Sequence, residues 1–141
     1  MAETKQIRYH SGYKHQNAED AYFETGIHVG HVVGTEDGYV ILWPMGRILV
    51  KKGFSWDGAS GPMPDKNTIM RGSMVHDALY RLLRERGIPQ KARLLADQLL
   101  RRLCLEDGMP VAEAESIYLI VRKRAASAAR PTALSELRTA P

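Results

Sequence analysis

A chain of 141 residues with 44% hydrophobic residues is long enough for one domain with its own core. Its single cysteine, Cys104, excludes an internal disulfide framework, and no apolar run approaches the roughly 20 residues that a membrane span needs. The polar N-terminus also lacks the apolar segment of a signal peptide. We therefore expect a single domain, 1–141, kept in a cytoplasm or carried in a particle.

The formal net charge is +4, and the basic residues are concentrated in the second half of the chain. They are Arg81, Arg84, Arg86, Lys91, Arg93, Arg101, Arg102, Arg122, Lys123 and Arg124. Such a set can approach the phosphates of lipid headgroups or of nucleic acid, or it can form solvated helix faces, which is the interpretation we favour. No aromatic side chains interleave with these arginines as a base-stacking platform requires, so we do not expect a nucleic-acid partner.

The first third of the chain predicts β-structure. Residues 1–20 are polar without a clear period, which indicates an N-terminal arm or an irregular edge strand. Residues 21–53 carry β-branched and aromatic runs separated by the turn signals Glu36-Asp37-Gly38 and Pro44-Met45-Gly46, and predict a small antiparallel sheet built from hairpins. Residues 54–67 form an acidic Gly-rich loop whose WDGASGP run is expected to be neither helix nor regular strand.

The rest of the chain predicts a helical core, 68–128. Its first helix is expected from about Ile69 to Arg86, and its second from Pro89, in the first turn, to about Glu106. Pro110 opens the third helix.

A tail, 129–141, is predicted to be either a loose end or a docking segment. Hairpins followed by three helices make the expected fold class α+β.

The acidic loop and the first helix suggest a calcium site. Calcium takes several oxygen ligands, from carboxylates and backbone carbonyls, in a forgiving geometry. The glycines of the WDGASGP loop let its carbonyls turn inward. Asp57 adds a carboxylate, and Asp77 on the helix is a candidate for the second one. Other kinds of site are not supported. The loop is one residue short of the nucleophile elbow of a serine hydrolase, and the sequence has no H-E-x-x-H motif or Cys/His cluster that would bind zinc.

The second candidate feature is a histidine facing an acid. The break at Gly87-Ile88-Pro89 makes the first two helices antiparallel neighbours, so Asp97 can face His76 across the pair. A carboxylate on one imidazole nitrogen fixes the tautomer and leaves the other nitrogen free to take a proton from water. The alternative is a core histidine satisfied by Asp97, with Asp57 and Asp77 merely capping a turn. Spacing alone leaves both open.

These residues resemble two families. Trp56-Asp57-Gly58, His76-Asp77-Ala78-Leu79-Tyr80 and Ala96-Asp97 stand in the order found in phospholipase A2, particularly its compact bacterial and parvoviral-capsid forms, over about 54–124. Over roughly 20–125 the chain is also similar to an uncharacterised family of tailed bacteriophages and prophages, marked by GF-x-x-DGAS-x-P followed by HD-x-LY.

The resemblance implies a phospholipase A2-like helical core and a role for each motif residue. His76 would be the general base, Asp97 would orient it, and Tyr80 would hydrogen-bond towards Asp97. Asp57 and Asp77 with the Gly58 carbonyl would bind calcium. The implied function is calcium-dependent hydrolysis of a phospholipid acyl ester, with a membrane surface as partner and the host cytoplasm or a virion as location. The alternative is a non-enzymatic virion, assembly or host-interaction protein that uses this fold as a binding module.

Overall fold

In the described part of the chain, seven short strands precede three α-helices, so the fold is α+β as predicted. The computed structural model describes residues 2–12, 14–57, 66–124 and 129–131. The strands are β1 Tyr9–His10, β2 His15–Asn17, β3 Ala21–Glu24, β4 Val33–Gly34, β5 Val40–Leu42, β6 Arg47–Val50 and β7 Ser55–Trp56. The helices are α1 Asn67–Arg84, α2 Arg93–Glu106 and α3 Val111–Arg124.

The larger sheet is antiparallel with the order β3-β6-β5-β4, and it lies within the predicted range 21–53. In one cross-strand row, Ile48 of β6 pairs with Phe23 on one side and with Leu42 on the other. All three side chains are buried and belong to the core that the sheet shares with the helices. The alternation of buried and less buried residues along β3 and β5 is the period of two that a half-buried strand requires.

A second sheet corrects two predictions. It has the order β1-β2-β7, so residues 1–20, predicted as an arm or an irregular edge strand, supply the edge strand β1 and the central strand β2. Ser55–Trp56, predicted as loop, pairs with β2 in the register His15 to Trp56. These strands are two or three residues long and polar in β1 and β2, so pairing with distant residues creates them where local propensity gave no signal. This sheet holds the chain immediately before Asp57.

The helix pair α1 and α2 is antiparallel and tightly packed. Gly72, His76 and Tyr80 are spaced four residues apart, so they form one stripe of α1. A Cβ atom at Gly72 would lie 3.0 Å from Leu100 Cδ1 and 3.3 Å from the Leu100 carbonyl oxygen. Any side chain at this position would require Leu100 to shift by a few tenths of an ångström, so glycine favours this close approach, which brings the next two residues of the stripe within reach of α2.

The helix ends differ slightly from their predicted positions. α1 stops at Arg84 rather than Arg86, because Arg86 itself takes the left-handed conformation with φ 64°. Pro89 precedes a 3-10 turn, Gln90–Ala92, and α2 begins only at Arg93. α3 follows Pro110 as predicted and is described to Arg124. The predicted continuation, 125–128, lies outside the described residues.

Cys104 of α2 is buried, and burial raises the pKa of its thiol to about 12. It therefore packs as a small buried hydrophobe. Within the described part of the chain, no helix combines the length and the apolar character needed to cross a membrane.

The close approach at Gly72 can be tested by Gly72→Val. The added side chain must push against Leu100 and its backbone, so we expect a loss of about 1–3 kcal/mol in the free energy of unfolding, measured with urea. Gly30→Val is the control, since Gly30 is exposed and a Cβ atom there would meet nothing within 4 Å, and it should change stability by no more than about 0.5 kcal/mol. Equal effects at both positions would contradict the packing described.

Candidate functional site

The predicted contact between His76 and Asp97 is present. His76 Nε2 lies 2.7 Å from Asp97 Oδ1, across the α1–α2 interface. Because a carboxylate only accepts, Nε2 carries the proton, and in the neutral ring Nδ1 is the acceptor. Nδ1 makes no hydrogen bond with any described residue. The His76 side chain is 13% exposed, whereas Asp97 is fully buried.

Tyr80 also behaves as predicted. Its hydroxyl donates to the same Asp97 Oδ1 at 2.6 Å, and its ring centroid lies 4.2 Å from that of His76. Burial and the hydrogen bond to Asp97 raise the pKa of Tyr80 above its ordinary value, and nearby Arg93 only partly opposes the rise. The hydroxyl therefore stays protonated and continues to donate, which holds the acid and the imidazole in one arrangement.

Two arginines that the sequence analysis did not assign to the site bind the other oxygen of Asp97. Arg122 Nη1 of α3 lies 2.7 Å from Oδ2, and Arg93 Nη1 of α2 lies 3.3 Å from it. The four-residue spacing from Arg93 to Asp97 within one helix was a usable signal. No such signal in the sequence pointed to Arg122, because its contact with Asp97 depends on how α3 packs against α2.

These contacts make Asp97 a fixed anion. Burial alone would raise the pKa of its carboxyl, but hydrogen bonds from His76, Tyr80 and Arg122 outweigh burial and lower the pKa. The ionised carboxylate accepts hydrogen bonds from three helices at once. It can hold the imidazole in one tautomer, which leaves Nδ1 as the nitrogen able to accept a proton.

Asp77 lies beside His76 on α1 and is partly buried. Burial raises the pKa of its carboxyl, Arg84 and Arg81 oppose the rise, and the Asp57 carboxylate adds to it. Asp77 and Asp57 are therefore close enough to repel one another. The calcium site predicted between these two carboxylates stays a prediction.

The other half of that site is only partly described. Asp57 follows β7 with its side chain 76% exposed, and Lys14 Nζ lies 3.8 Å from its carboxylate. Gly58, the predicted carbonyl ligand, lies outside the described residues. Within the described ranges, no group of three or more His, Cys, Asp or Glu side chains could hold a metal ion. Of the predicted ligand set, the structure therefore describes the two aspartates only.

The family comparison covers this site. The chain matches a family described as Protein of unknown function (DUF1353) over residues 39–121, which is 83 of 141 residues. The chain belongs to this family. The DUF1353 match includes His76 and Asp97 and ends one residue before Arg122. No curated protein and no solved structure matches the chain. The family description assigns no activity, so the catalytic and calcium roles of these residues stay predictions.

The lowered pKa of Asp97 predicts an acid-dependent loss of stability. A folded-state pKa below the unfolded value of about 3.9 means that the ionised carboxylate stabilises the fold above that pH, and that this contribution is lost as the pH falls through the folded-state pKa. We expect Asp97→Asn to be less stable than the wild type by about 3–5 kcal/mol at pH 7, because two partly buried arginines lose their anion. Urea unfolding at pH 7, 5, 4 and 3 should show this difference shrinking below pH 4.

The control is Glu115→Gln, which removes the carboxylate of an exposed ion pair with Arg101. It should cost no more than about 1 kcal/mol at pH 7. A difference between wild type and Asp97→Asn that stays constant from pH 7 to pH 3 would contradict a lowered pKa at Asp97.

Proposed function

We propose that this protein is a calcium-dependent acyl-ester hydrolase of the phospholipase A2 type, encoded by a tailed phage or prophage and acting on phospholipid. The observation that carries the proposal is the state of His76. Its Nε2 is held by a buried carboxylate at 2.7 Å, while Nδ1 has no described hydrogen-bond partner on a side chain that still reaches the surface. This is the arrangement that a general base acting on water requires.

The proton chemistry follows from these contacts. A water at Nδ1 loses its proton to the ring as its oxygen attacks the ester carbonyl, and the ring becomes an imidazolium. Asp97 keeps the ring oriented and accepts from Nε2 throughout, so the proton gained at Nδ1 is the one available for the leaving alcohol. Tyr80 takes no proton in this scheme, and its role is to hold the Asp97 oxygen that faces His76.

Calcium binding would involve Asp57, Asp77 and the Gly58 carbonyl. The bound ion would supply positive charge for the oxyanion that develops on the ester carbonyl. The charges of the two aspartates support a calcium ion at this place. Burial raises the pKa of Asp77, and the Asp57 carboxylate adds to the rise, so the two acids lie near enough to act on one another.

A phospholipid surface is the proposed partner. The net charge of +4 favours anionic bilayers. Several members of the basic set are already engaged, since Arg81 pairs with Asp37, Arg101 with Glu115 and Arg102 with Glu3. The attraction we propose is therefore that of the whole molecule, and its strength should fall with salt.

A second candidate is a non-enzymatic virion, assembly or host-interaction protein. The two arginines at Asp97 favour it, because a carboxylate saturated by ion pairs and hydrogen bonds is also how a purely structural network is built. On this candidate the imidazole is a core side chain, and a stable complex with a protein partner would be indifferent to His76→Ala.

The hydrolase proposal predicts calcium-dependent release of fatty acid from phospholipid vesicles. His76→Ala should lower the rate by at least about 100-fold, because the general base is removed, and Asp77→Asn should lower it by loss of calcium. His31→Ala is the matched control, an exposed histidine that belongs to none of the helices, and should keep the wild-type rate. Absent release by folded wild-type protein, or release that persists in His76→Ala, favours the second candidate.

Calcium binding itself can be measured without substrate. Calcium at about 100 times its dissociation constant should raise the free energy of unfolding by about 2.7 kcal/mol, visible as a higher Tm. Asp57→Asn should weaken this response, whereas Glu19→Gln, which changes an exposed carboxylate paired with Arg8, should leave it intact. An equal calcium response in both variants would remove Asp57 from the site.

A further inference from the structure

The two arginines at Asp97 carry more charge than the acid neutralises. Both Nη1 atoms bond the same Oδ2 oxygen, so the guanidinium groups of Arg93 and Arg122 lie side by side. One carboxylate meets two full positive charges, because arginine stays protonated at every accessible pH. The site therefore keeps an unmatched positive charge in a partly buried position, with Arg93 17% and Arg122 29% exposed.

No other acid on these two helices is placed to cancel this charge. Asp97 is the only acidic residue in the sequence from 86 to 105, and no acidic residue follows Glu115 in α3. Arg93 Nη1 also faces the carbonyl oxygens of Val121 and Arg122, each at 3.5 Å. These long contacts involve neutral acceptors, so they orient the guanidinium without supplying a second negative charge.

Arg122 keeps further donors. Among the described residues, Asp97 and the two α3 carbonyls are bonded through Nη1 of the arginines, and Arg93 also interacts with the Tyr80 side chain, so Nε and Nη2 of Arg122 stay outside these bonds. A planar fork with two further donors is the geometry that binds two oxygens of one anion. Asp97 fixes both forks in place, so little side-chain entropy is lost when an anion arrives.

We propose that Arg93 and Arg122 form a phosphate-binding site between α2 and α3. Phosphate suits two adjacent guanidinium groups better than carboxylate does, because its three or four oxygens can accept from both forks at once and its charge exceeds one unit. The ligand class is a free phosphate or the phosphate of a lipid headgroup. The site rests on the arginine contacts alone and does not depend on hydrolase activity.

The test is isothermal titration of the folded full-length protein with inorganic phosphate, at ionic strength held constant with chloride. The wild type should bind one phosphate per chain. Arg122→Lys keeps the charge but removes the fork, and should weaken binding by at least about tenfold, as should Arg93→Gln. Thermal unfolding of each variant verifies that it is folded.

Arg101→Gln is the matched control. Arg101 lies on α2 together with Arg93, and 29% of its side chain is exposed, as at Arg122, but its charge is met by Glu115 and by the ring of Tyr118. This variant should bind phosphate with the wild-type constant. Absence of phosphate binding by the wild type, or an equal loss in Arg101→Gln and in folded Arg122→Lys, overturns the proposal.

The source of the phosphate is distinguished by a second titration with dihexanoyl phosphatidic acid below its micelle concentration. Tighter binding than inorganic phosphate, lost in Arg122→Lys, assigns the site to a lipid headgroup. Equal or weaker binding with the same loss assigns it to free phosphate. Binding of the lipid that survives Arg122→Lys overturns the proposal for lipid phosphate.

Discussion

The site is organised by one buried carboxylate. Asp97 is fully buried, and it is held by His76 and Tyr80 on one oxygen and by Arg93 and Arg122 on the other. These donors come from all three helices. A charge in that position is tolerable only because it is surrounded by donors, and removing any of them leaves a polar group buried without its partner. The same contacts join the helices and orient the imidazole.

Helix packing makes this arrangement possible. Gly72 makes the close approach of α1 to α2 easier, because any side chain there would press against Leu100, and His76 and Tyr80 follow it along the same stripe. The N-terminal residues contact the other end of the α1–α2 pair. Buried Arg71 donates to the Thr4 carbonyl and to the carboxylates of Glu106 and Asp107, while Thr4 also bonds the edge of the larger sheet. Sheet and helices are thus joined through this arginine as well as through the shared core.

Arg93 and Arg122 change the role that Asp97 can have toward His76. In an isolated pair, the carboxylate charge is free to stabilise an imidazolium. Here Arg93 and Arg122 share that charge, so the role of Asp97 that the contacts support is to orient the His76 ring. A general base of this kind depends on other charges around the reacting ester, which is the part we propose for Asp57 and Asp77 with calcium. The surplus positive charge is the basis for an anion site on the α2–α3 side.

The sequence by itself determined the fold class, the hairpins of 21–53, the three helices within a few residues, and that Asp97 can face His76. Those features rest on local periodicity, turn residues and a short helix break, all of which act over a few positions. The bond from Tyr80 to Asp97 was implied by the resemblance to phospholipase A2 and not by any local pattern. Only the tertiary structure decided the strand at Ser55–Trp56 and the arrival of Arg122 at Asp97. Both join residues far apart in the chain, and such contacts depend on how whole elements pack, which no local pattern records.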